Sequence, residues 1–326
     1  MSEHPYDRLD PDTVIAAVES AGYRSDARLL ALNSYENRVY QVGIEDAEPL
    51  IAKFYRPERW SDAQILEEHS FSLELANTDI SVVAPLSSDD GTTLHEYEGF
   101  RFTLFARRGG YPPELDNPDS QLVLGRTLGR MHTVGRASAF KERQAITVER
   151  MLDDSRAFLL ENAFLPTDLV PAYDSLTRDL SDRVHALFKP TETDLLRVHG
   201  DCHVGNILWR DDTAHFVDLD DCVTAPALQD LWMFLSGERH ERELQLCELI
   251  EGYSEFADFN AAELNWLESL RTMRLVHYAA WLARRWTDPA FPRSFTWFNT
   301  ERYWADHILE LREQLAALQE EPLRLL

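Results

Sequence analysis

The first hundred residues contain short apolar segments, separated by polar positions, that are typical of β-strands. These strand-like segments are rich in β-branched and aromatic residues, polar turns separate them, and they span 28–36, 37–45, 49–57, 81–87 and 99–107. The stretch 61–78 instead spaces its apolar residues as a helix does, and Ser61 and Asp62 provide a cap in front of it. Residues 1–106 are therefore predicted to form a small β-rich lobe with one long helix.

A turn-rich stretch, ARRGGYPPELDNP at 106–118, separates this half from the rest of the chain. Beyond it the apolar residues recur at helical spacing over 119–136, 148–164 and 169–188, and again from Ala227 to the end. Short strand-like segments around loops interrupt that pattern between Leu195 and Asp221. We therefore predict an α+β chain of two lobes, with a mainly helical second lobe over residues 107–326.

The composition and net charge of the chain argue against several classes of binding partner. The chain has 326 residues, and 44% of them are hydrophobic, which predicts a well-packed fold. No apolar run reaches the ~20 residues of a membrane span, and the acidic start MSEHPYDRLDPDTV lacks a signal-peptide core, so we expect a cytoplasmic protein without a membrane partner. A net charge of −25 repels nucleic acid. Three scattered cysteines predict reduced thiols rather than a disulfide framework.

The polar residues of HGDCHVGN (199–206) and FVDLDD (216–221) indicate phosphoryl transfer. Asp201 follows a predicted strand end, Asn206 comes five residues later, and Asp218 lies on the next strand. This spacing matches the layout that kinases use for a catalytic base and two Mg²⁺ ligands. Asp201 would deprotonate the acceptor hydroxyl, while Asn206 and Asp218 would hold Mg²⁺ against the nucleotide phosphates.

The histidines and the cysteine of the same stretch suggest other metal sites, which the rest of the chain does not support. A two-metal phosphoesterase needs further His and Asp ligands on separate strand ends, and neither an early D-x-H nor a late G-N-H occurs. Zinc bound by Cys202 and His203 would need a second pair of ligands. We interpret His199 as a packing residue beneath the loop and His203 as a residue that lines it.

A kinase also requires groups that bind the nucleotide, and the first lobe offers three. Lys53, one of only three lysines, lies on the apolar strand LIAKFYR and would clamp phosphate, although an ordinary surface lysine is the alternative. Glu68, or else its neighbour Glu67, would pair with that lysine from the helix. Ser34, in the turn of LNSYENRVYQV, would contact the nucleotide where protein kinases have a Gly-rich loop, although a plain hairpin turn remains open.

These residues together resemble a known family. HGDCHVGNILW with FVDLDD resembles the aminoglycoside phosphotransferase and choline kinase branch of the protein-kinase-like fold. The chain is also similar to the stress response kinase A family of bacterial Ser/Thr protein kinases, in the segments LNSYENRVYQV, AKFYRPERW, ILEEH, GRMH, QDLWM and RRWTDPAFP. The resemblance implies that Asp201 is the proton acceptor, that Asn206 and Asp218 bind magnesium, with Asp218 also catalytic, and that Ser34 belongs to the ATP site. It also implies that Asp230 supports the catalytic loop. DLD replaces the DFG triplet, and no APE-bounded activation loop is visible.

The sequence thus predicts a monomeric, two-lobed, ATP- and Mg²⁺-dependent Ser/Thr protein kinase of the stress response. Residues 1–106 would bind the nucleotide, and residues 107–326 would hold the catalytic loop and the protein substrate. A small-molecule kinase for an amino alcohol, sugar or aminoglycoside is the alternative, since it would use the same catalytic residues. Its acceptor pocket would involve Trp281, Arg284, Arg285 and Trp286. A regulatory nucleotide binder without chemistry is the third hypothesis.

Overall fold

The computed structural model describes residues 5–326, so the first four residues of the acidic N-terminal stretch lie outside the described part. A short helix, α1 (Pro11–Ser20), comes first, and its N-cap Asp10 accepts a hydrogen bond from the backbone N–H of Thr13. Gly22, with φ of +95°, ends the turn that follows. The chain then enters the predicted β-rich lobe.

The first lobe is built on one antiparallel five-stranded sheet. Its strands are β1 (Ser25–Ala31), β2 (Arg38–Ile44), β3 (Ala47–Phe54), β4 (His95–Tyr97) and β5 (Phe100–Ala106), in the spatial order β1-β2-β3-β5-β4. The long helix α2 (Asp62–Asn77) follows β3. Ser61 caps it, as predicted, and forms a capping box with Gln64 that the sequence analysis did not identify. The apolar core between α1 and the sheet is separate from the larger core of the second lobe.

One strand prediction in this lobe is wrong. The segment 81–87 forms only single bridges, from Val82 to Phe216 and from Pro85 to Phe105. Pro85 lacks the N–H that a regular ladder requires. The segment pairs first with the second lobe and then with β5, and it thereby joins the two lobes. The short strand β4 was not predicted.

The second lobe is mainly helical, as predicted. Its helices are α3 (Pro118–Arg136), α4 (Asp154–Glu161), α5 (Val170–Leu187), α6 (Arg239–Ser254), α7 (Leu267–Arg284), α8 (Ala290–Ser294) and α9 (Glu301–Ala317). Two two-stranded sheets interrupt them, β6 (Leu195–Val198) with β9 (Val223–Pro226), and β7 (Ile207–Arg210) with β8 (Thr213–Phe216). The helical prediction for 148–164 begins as a π-turn over Glu149–Asp153, and 3-10 turns precede α6 where helices were expected from Ala227.

Close packing between α3 and its neighbours depends on glycines that face backbone. A Cβ on Gly125 would overlap the carbonyl oxygen of Leu249 in α6, and one on Gly135 would overlap that of Arg197 in β6. The three cysteines are free thiols, in agreement with the sequence. None of the helices described for residues 5–326 combines the length and the apolar character that a bilayer crossing requires.

Candidate active site

A cavity of about 840 Å³ lies between the sheet of the first lobe and the loops of the second. Most of the residues singled out from the sequence line it, namely Ser34, Lys53, Asp201, Asn206 and Asp218. They come from positions up to 184 residues apart, counted from Ser34 to Asp218. The structure therefore brings the two halves of the predicted site together at one cavity.

The loop after β6 is held by a buried carboxylate. Asp230 is fully buried and accepts hydrogen bonds from the backbone N–H groups of His199, at 2.7 Å, and of Gly200, at 2.8 Å. Gly200 has φ of +86°, and a Cβ there would overlap the carbonyl oxygen of Asp221, so only glycine fits. His199 is buried beneath the loop, with Nε2 2.9 Å from the carbonyl oxygen of Val217. These contacts orient the loop that presents Asp201.

Both oxygens of the Asp201 carboxylate already face a partner. Arg274 of α7 donates to Oδ1 at 2.7 Å, and His203 Nε2 lies 3.4 Å from Oδ2. Burial by itself would raise the pKa of Asp201, but the hydrogen bond from His203 and the charge of Arg274 lower it below its usual value. Asp201 is therefore ionised at neutral pH and able to accept a proton. The sequence did not point to Arg274, because its partner lies 73 residues earlier.

Asn206 and Asp218 present oxygen ligands to the same cavity. Asn206 donates Nδ2 to the carbonyl oxygen of Asp201 at 3.0 Å, so its amide oxygen is directed elsewhere. Asp218 adopts the left-handed region at φ of 60°, which is uncommon outside glycine, and its side chain is about half exposed. Among residues 5–326, no group of three or more His, Cys, Asp or Glu side chains is arranged to hold a metal. A cation here would complete its shell with phosphate and water oxygens, as Mg²⁺ commonly does.

Lys53 is buried against two carboxylates. Its Nζ lies 2.8 Å from Oδ1 of Asp218 and 3.1 Å from Oδ1 of Asp220. Burial lowers the pKa of Lys53, but these carboxylates, with a smaller contribution from Glu68, raise it well above the usual value. The lysine is therefore a fixed positive charge beside the candidate metal ligands, not a surface strand lysine.

The structure separates the two candidate acids of α2. Glu68 is 2% exposed and close enough to Lys53 to act on its pKa, although its carboxylate is not within 4 Å of Nζ. Glu67 turns the other way and accepts the backbone N–H groups of 141–143. Glu68 is thus the acid on the lysine side. The direct partners in this state are Asp218 and Asp220, and sequence reasoning passed over Asp220 because three acids stand within four positions.

The loop between β1 and β2 is tied to the catalytic half of the chain. The hydroxyl of Ser34 donates to the carbonyl oxygen of Asn37 at 2.9 Å and so braces the turn from inside. Asn37 donates Nδ2 to Asp220 at 3.1 Å, and Arg59 also contacts that carboxylate. Glu36 accepts from Trp281 and from the guanidinium of Arg285. The turn is therefore built into the site rather than being a free hairpin.

The residues 281, 284, 285 and 286 do not form one acceptor pocket. Trp281 lines the cavity, whereas Arg284 donates to the carbonyl oxygen of Asp154 and covers Phe158 outside it. Trp286 packs edge-on against Phe298 in the helical core. The sequence cluster is split because successive helix positions point in different directions.

Comparison with known proteins fits this geometry. The chain matches the phosphotransferase enzyme family over residues 28–267. It is 46% identical over 324 residues to stress response kinase A of Escherichia coli K12, an alignment that covers 99% of this chain and 98% of the relative. The chain belongs to the stress response kinase A family. A further relative, Salmonella typhimurium Ser/Thr protein kinase RdoA, is 44% identical and covers 98% of this chain and 97% of its own.

Membership of the stress response kinase A family confirms the resemblance seen in the sequence motifs, and it makes the protein a phosphotransferase. Solved structures show the same fold. An amicoumacin kinase in complex with AMP-PNP and Ca²⁺ superposes with a TM-score of 0.74 at 19% identity, covering 96% of this chain and 95% of its own. An aminopropanol kinase gives 0.71 at 20% identity, covering 96% and 99%. The two-lobed kinase-like fold is thereby confirmed.

Proposed function

We propose that the protein is an ATP- and Mg²⁺-dependent Ser/Thr protein kinase that transfers the γ-phosphate to protein hydroxyls, with a role in stress response. The observation behind this proposal is the meeting of Lys53, Asp201, Asn206 and Asp218 at one cavity between the lobes. Phosphoryl transfer needs a base, oxygen ligands for the metal and a cation on the phosphates. Asp201 would serve as the base, Asn206 and Asp218 as the metal ligands, and Lys53 as the cation on the phosphates. The relatives named as kinases support the choice of acceptor class.

In this proposal Asp201 accepts the proton of the acceptor hydroxyl as its oxygen attacks phosphorus. Its lowered pKa keeps it ionised, and the loop bonds to Asp230 hold it in position. The oxygens of Asn206 and Asp218 fit Mg²⁺, which prefers hard oxygen ligands. When bound, Mg²⁺ would neutralise the charge that develops on the transferred phosphate.

Lys53 would leave Asp218 and bind phosphate once nucleotide and metal enter. Asp220, with Glu68 behind it, would keep the ammonium group charged and in place. Ser34 would contact the nucleotide from the turn that it braces. Residues 1–106 would then form the nucleotide-binding lobe and residues 107–326 the catalytic and substrate lobe. Because all of these groups come from one chain, we propose a monomeric enzyme, which light scattering during size-exclusion chromatography would test.

The experiment that tests the proposal is incubation with Mg²⁺ and [γ-³²P]ATP in parallel acceptor panels. One panel contains proteins and Ser or Thr peptides, and the other contains amino alcohols, sugars and aminoglycosides. Label on the protein panel supports the proposal. Asp201→Ala should bind Mg-ATP as the wild type does but lose transfer by about 10²–10⁴-fold. A variant that transfers phosphate at the wild-type rate would show that Asp201 is not the base.

A small-molecule kinase is the second candidate, and one observation favours it. The solved structures that share the fold are named as kinases of amicoumacin and aminopropanol. Label confined to the small-molecule panel would select this candidate. A regulatory binder, the third hypothesis, predicts binding of Mg-ATP without label in either panel. Asp218→Ala tests the metal-ligand role under each of these hypotheses: it should weaken Mg²⁺-dependent nucleotide binding, and unchanged affinity would count against that role.

A further inference from the structure

The acceptor side of the cavity is positively charged, although the chain as a whole has a net charge of −25. Arg150, from the π-turn before α4, and Arg274, from α7, both line the cavity. Their combined field acts on His277 of α7. Burial, reinforced by Arg150, Arg284 and Arg274, lowers the pKa of this histidine to about 3. Arg150 and Arg274 therefore bring positive charge to this part of the cavity in an otherwise acidic molecule.

One of these arginines makes no direct ion pair within the described part of the chain, although Asp221 acts on it at longer range. Arg150 donates Nε to the carbonyl oxygen of Ala145 at 3.1 Å, and no carboxylate in the described range 5–326 lies within 4 Å of its guanidinium. Burial lowers the pKa of Arg150 below its usual value, and the more distant charge of Asp221 partly offsets this effect. A half-buried guanidinium that lines a cavity without a directly bonded carboxylate is stabilised when a ligand supplies one.

The other arginine blocks the proposed base. Arg274 holds Oδ1 of Asp201 at 2.7 Å, and His203 lies near Oδ2. A hydroxyl that donates its proton to Asp201 needs one of these oxygens. An acceptor with its own carboxylate would give Arg274 a second partner, and the arginine could then release Oδ1 to the incoming hydroxyl. A neutral or cationic acceptor offers no such exchange.

The remaining wall of the pocket is flat and aromatic. Tyr278 and Trp281 of α7 stack with their ring centroids 5.5 Å apart, and both line the cavity. Tyr278 is 39% exposed, so its ring face is accessible. Aromatic faces of this kind pack well against an extended peptide segment.

We propose that the protein phosphorylates Ser or Thr residues flanked by acidic side chains, and that Arg150 and Arg274 bind the flanking carboxylates. This inference rests on the proposed protein-kinase activity and names its substrate class. The long-range field cannot produce such a preference, because an overall charge of −25 repels acidic peptides. The selection must come from the two arginines at the pocket.

The test uses three Ser peptides of equal length with Glu/Asp, Gln/Ala or Lys flanks, and the readout is kcat/KM for each at 0.15 M salt. The acidic peptide should exceed the neutral one by about tenfold, as charge-assisted bonds at a half-buried site imply. Arg150→Gln and Arg274→Gln should each bring this ratio toward one, and Arg150→Glu should invert it. Arg150→Lys retains the positive charge and should therefore keep most of the preference for the acidic peptide. That result would show that the effect of Arg150→Gln comes from the lost charge and not from a damaged site.

The matched control is Arg271→Gln. Arg271 lies on the same helix, outside the cavity and 3.9 Å from Glu268, so the control removes the same charge without changing the pocket. Its acidic-to-neutral ratio should equal that of the wild type. Equal kcat/KM for all three peptides would overturn the inference and leave the proposed protein kinase standing. No transfer to any peptide would overturn both.

Discussion

The indole N–H of Trp281 donates to the carboxylate of Glu36 at 2.7 Å. This bond joins the turn between β1 and β2, on the proposed nucleotide side of the cavity, to α7, on the proposed acceptor side. Arg285 donates to the other oxygen of the same carboxylate at 2.8 Å. The Glu36 side chain is only 11% exposed, so one buried acid couples the two walls of the site.

Loss of the Glu36 charge should therefore loosen both walls. Glu36→Gln is expected to reduce the free energy of unfolding by about 1–3 kcal/mol, because charge-assisted hydrogen bonds are lost in a buried setting. It should also weaken ATP binding, since the turn that lines the nucleotide side is released. Denaturant titration and nucleotide-binding calorimetry measure the two effects. Trp281→Phe retains the ring packing, removes a single hydrogen bond and should cost about 1 kcal/mol. A Glu36→Gln variant with unchanged stability and affinity would contradict this coupling.

The buried acid beneath the catalytic loop should matter for activity as well as for stability. Asp230→Asn replaces a buried carboxyl group that accepts from two backbone N–H groups, and it should lower the free energy of unfolding by about 1.5–3 kcal/mol. We also expect kcat to fall by at least about tenfold, because Asp201 loses its fixed position. Asp182→Asn, at an exposed position of α5, is the control and should change neither quantity. Full activity in Asp230→Asn would mean that the loop keeps its shape without this charge.

Packing of α3 against β6 should tolerate no side chain at its closest point. Gly135→Ala places a methyl group on the carbonyl oxygen of Arg197, and overpacking of this kind costs about 1–3 kcal/mol or more. Gly109→Ala is the comparison, since its nearest atom, on the side chain of Arg210, is 3.7 Å away. Thermal unfolding should show a lower Tm for Gly135→Ala only. Equal Tm values would indicate that α3 can shift.

Acid should destabilise the first lobe through His69. This residue is 1% exposed and lies between the hydroxyl of Tyr55, at 2.7 Å, and that of Thr93, at 2.8 Å. Burial, helped by the charge of Lys53, lowers its pKa from 6.5 to about 3. The folded state thus binds fewer protons than the unfolded state between these values, and the free energy of unfolding falls as pH decreases through this range.

The expected contribution of His69 is a loss of up to about 1.4 kcal/mol per pH unit below pH 6.5. Urea titrations at pH 7.0, 6.0 and 5.0 measure the free energy of unfolding of the wild type and of His69→Gln. The variant should lack the part of the pH dependence that His69 contributes. The difference between the two slopes isolates His69 from the other buried histidines. Parallel curves for the wild type and His69→Gln would show that the imidazole takes up its proton as readily in the folded state as in the unfolded state.

Local signals in the sequence were sufficient for most of the architecture. Asp10, Ser61 and Gly22 mark helix ends through bonds to nearby backbone, and a residue's neighbours in the chain determine such bonds. The strand-like segments before and after 61–78 are rich in β-branched and aromatic residues, which pack well on a sheet. The segment 81–87 has the same composition but bridges two lobes, and periodicity contains no information about which partner a strand finds.

The motif residues Asp201, Asn206 and Asp218 stand close together in the sequence, so their type and spacing alone predicted phosphoryl transfer. The residues that reach the site from distant parts of the chain form no such pattern in the sequence. Arg274 meets Asp201 across 73 positions, and Trp281 meets Glu36 across 245. Only the folded chain brings these charges into one low-dielectric cavity, where pairing or its absence has a large energetic effect. The sequence by itself thus determined the fold class and the kind of chemistry, and the tertiary structure decided which charges surround Asp201.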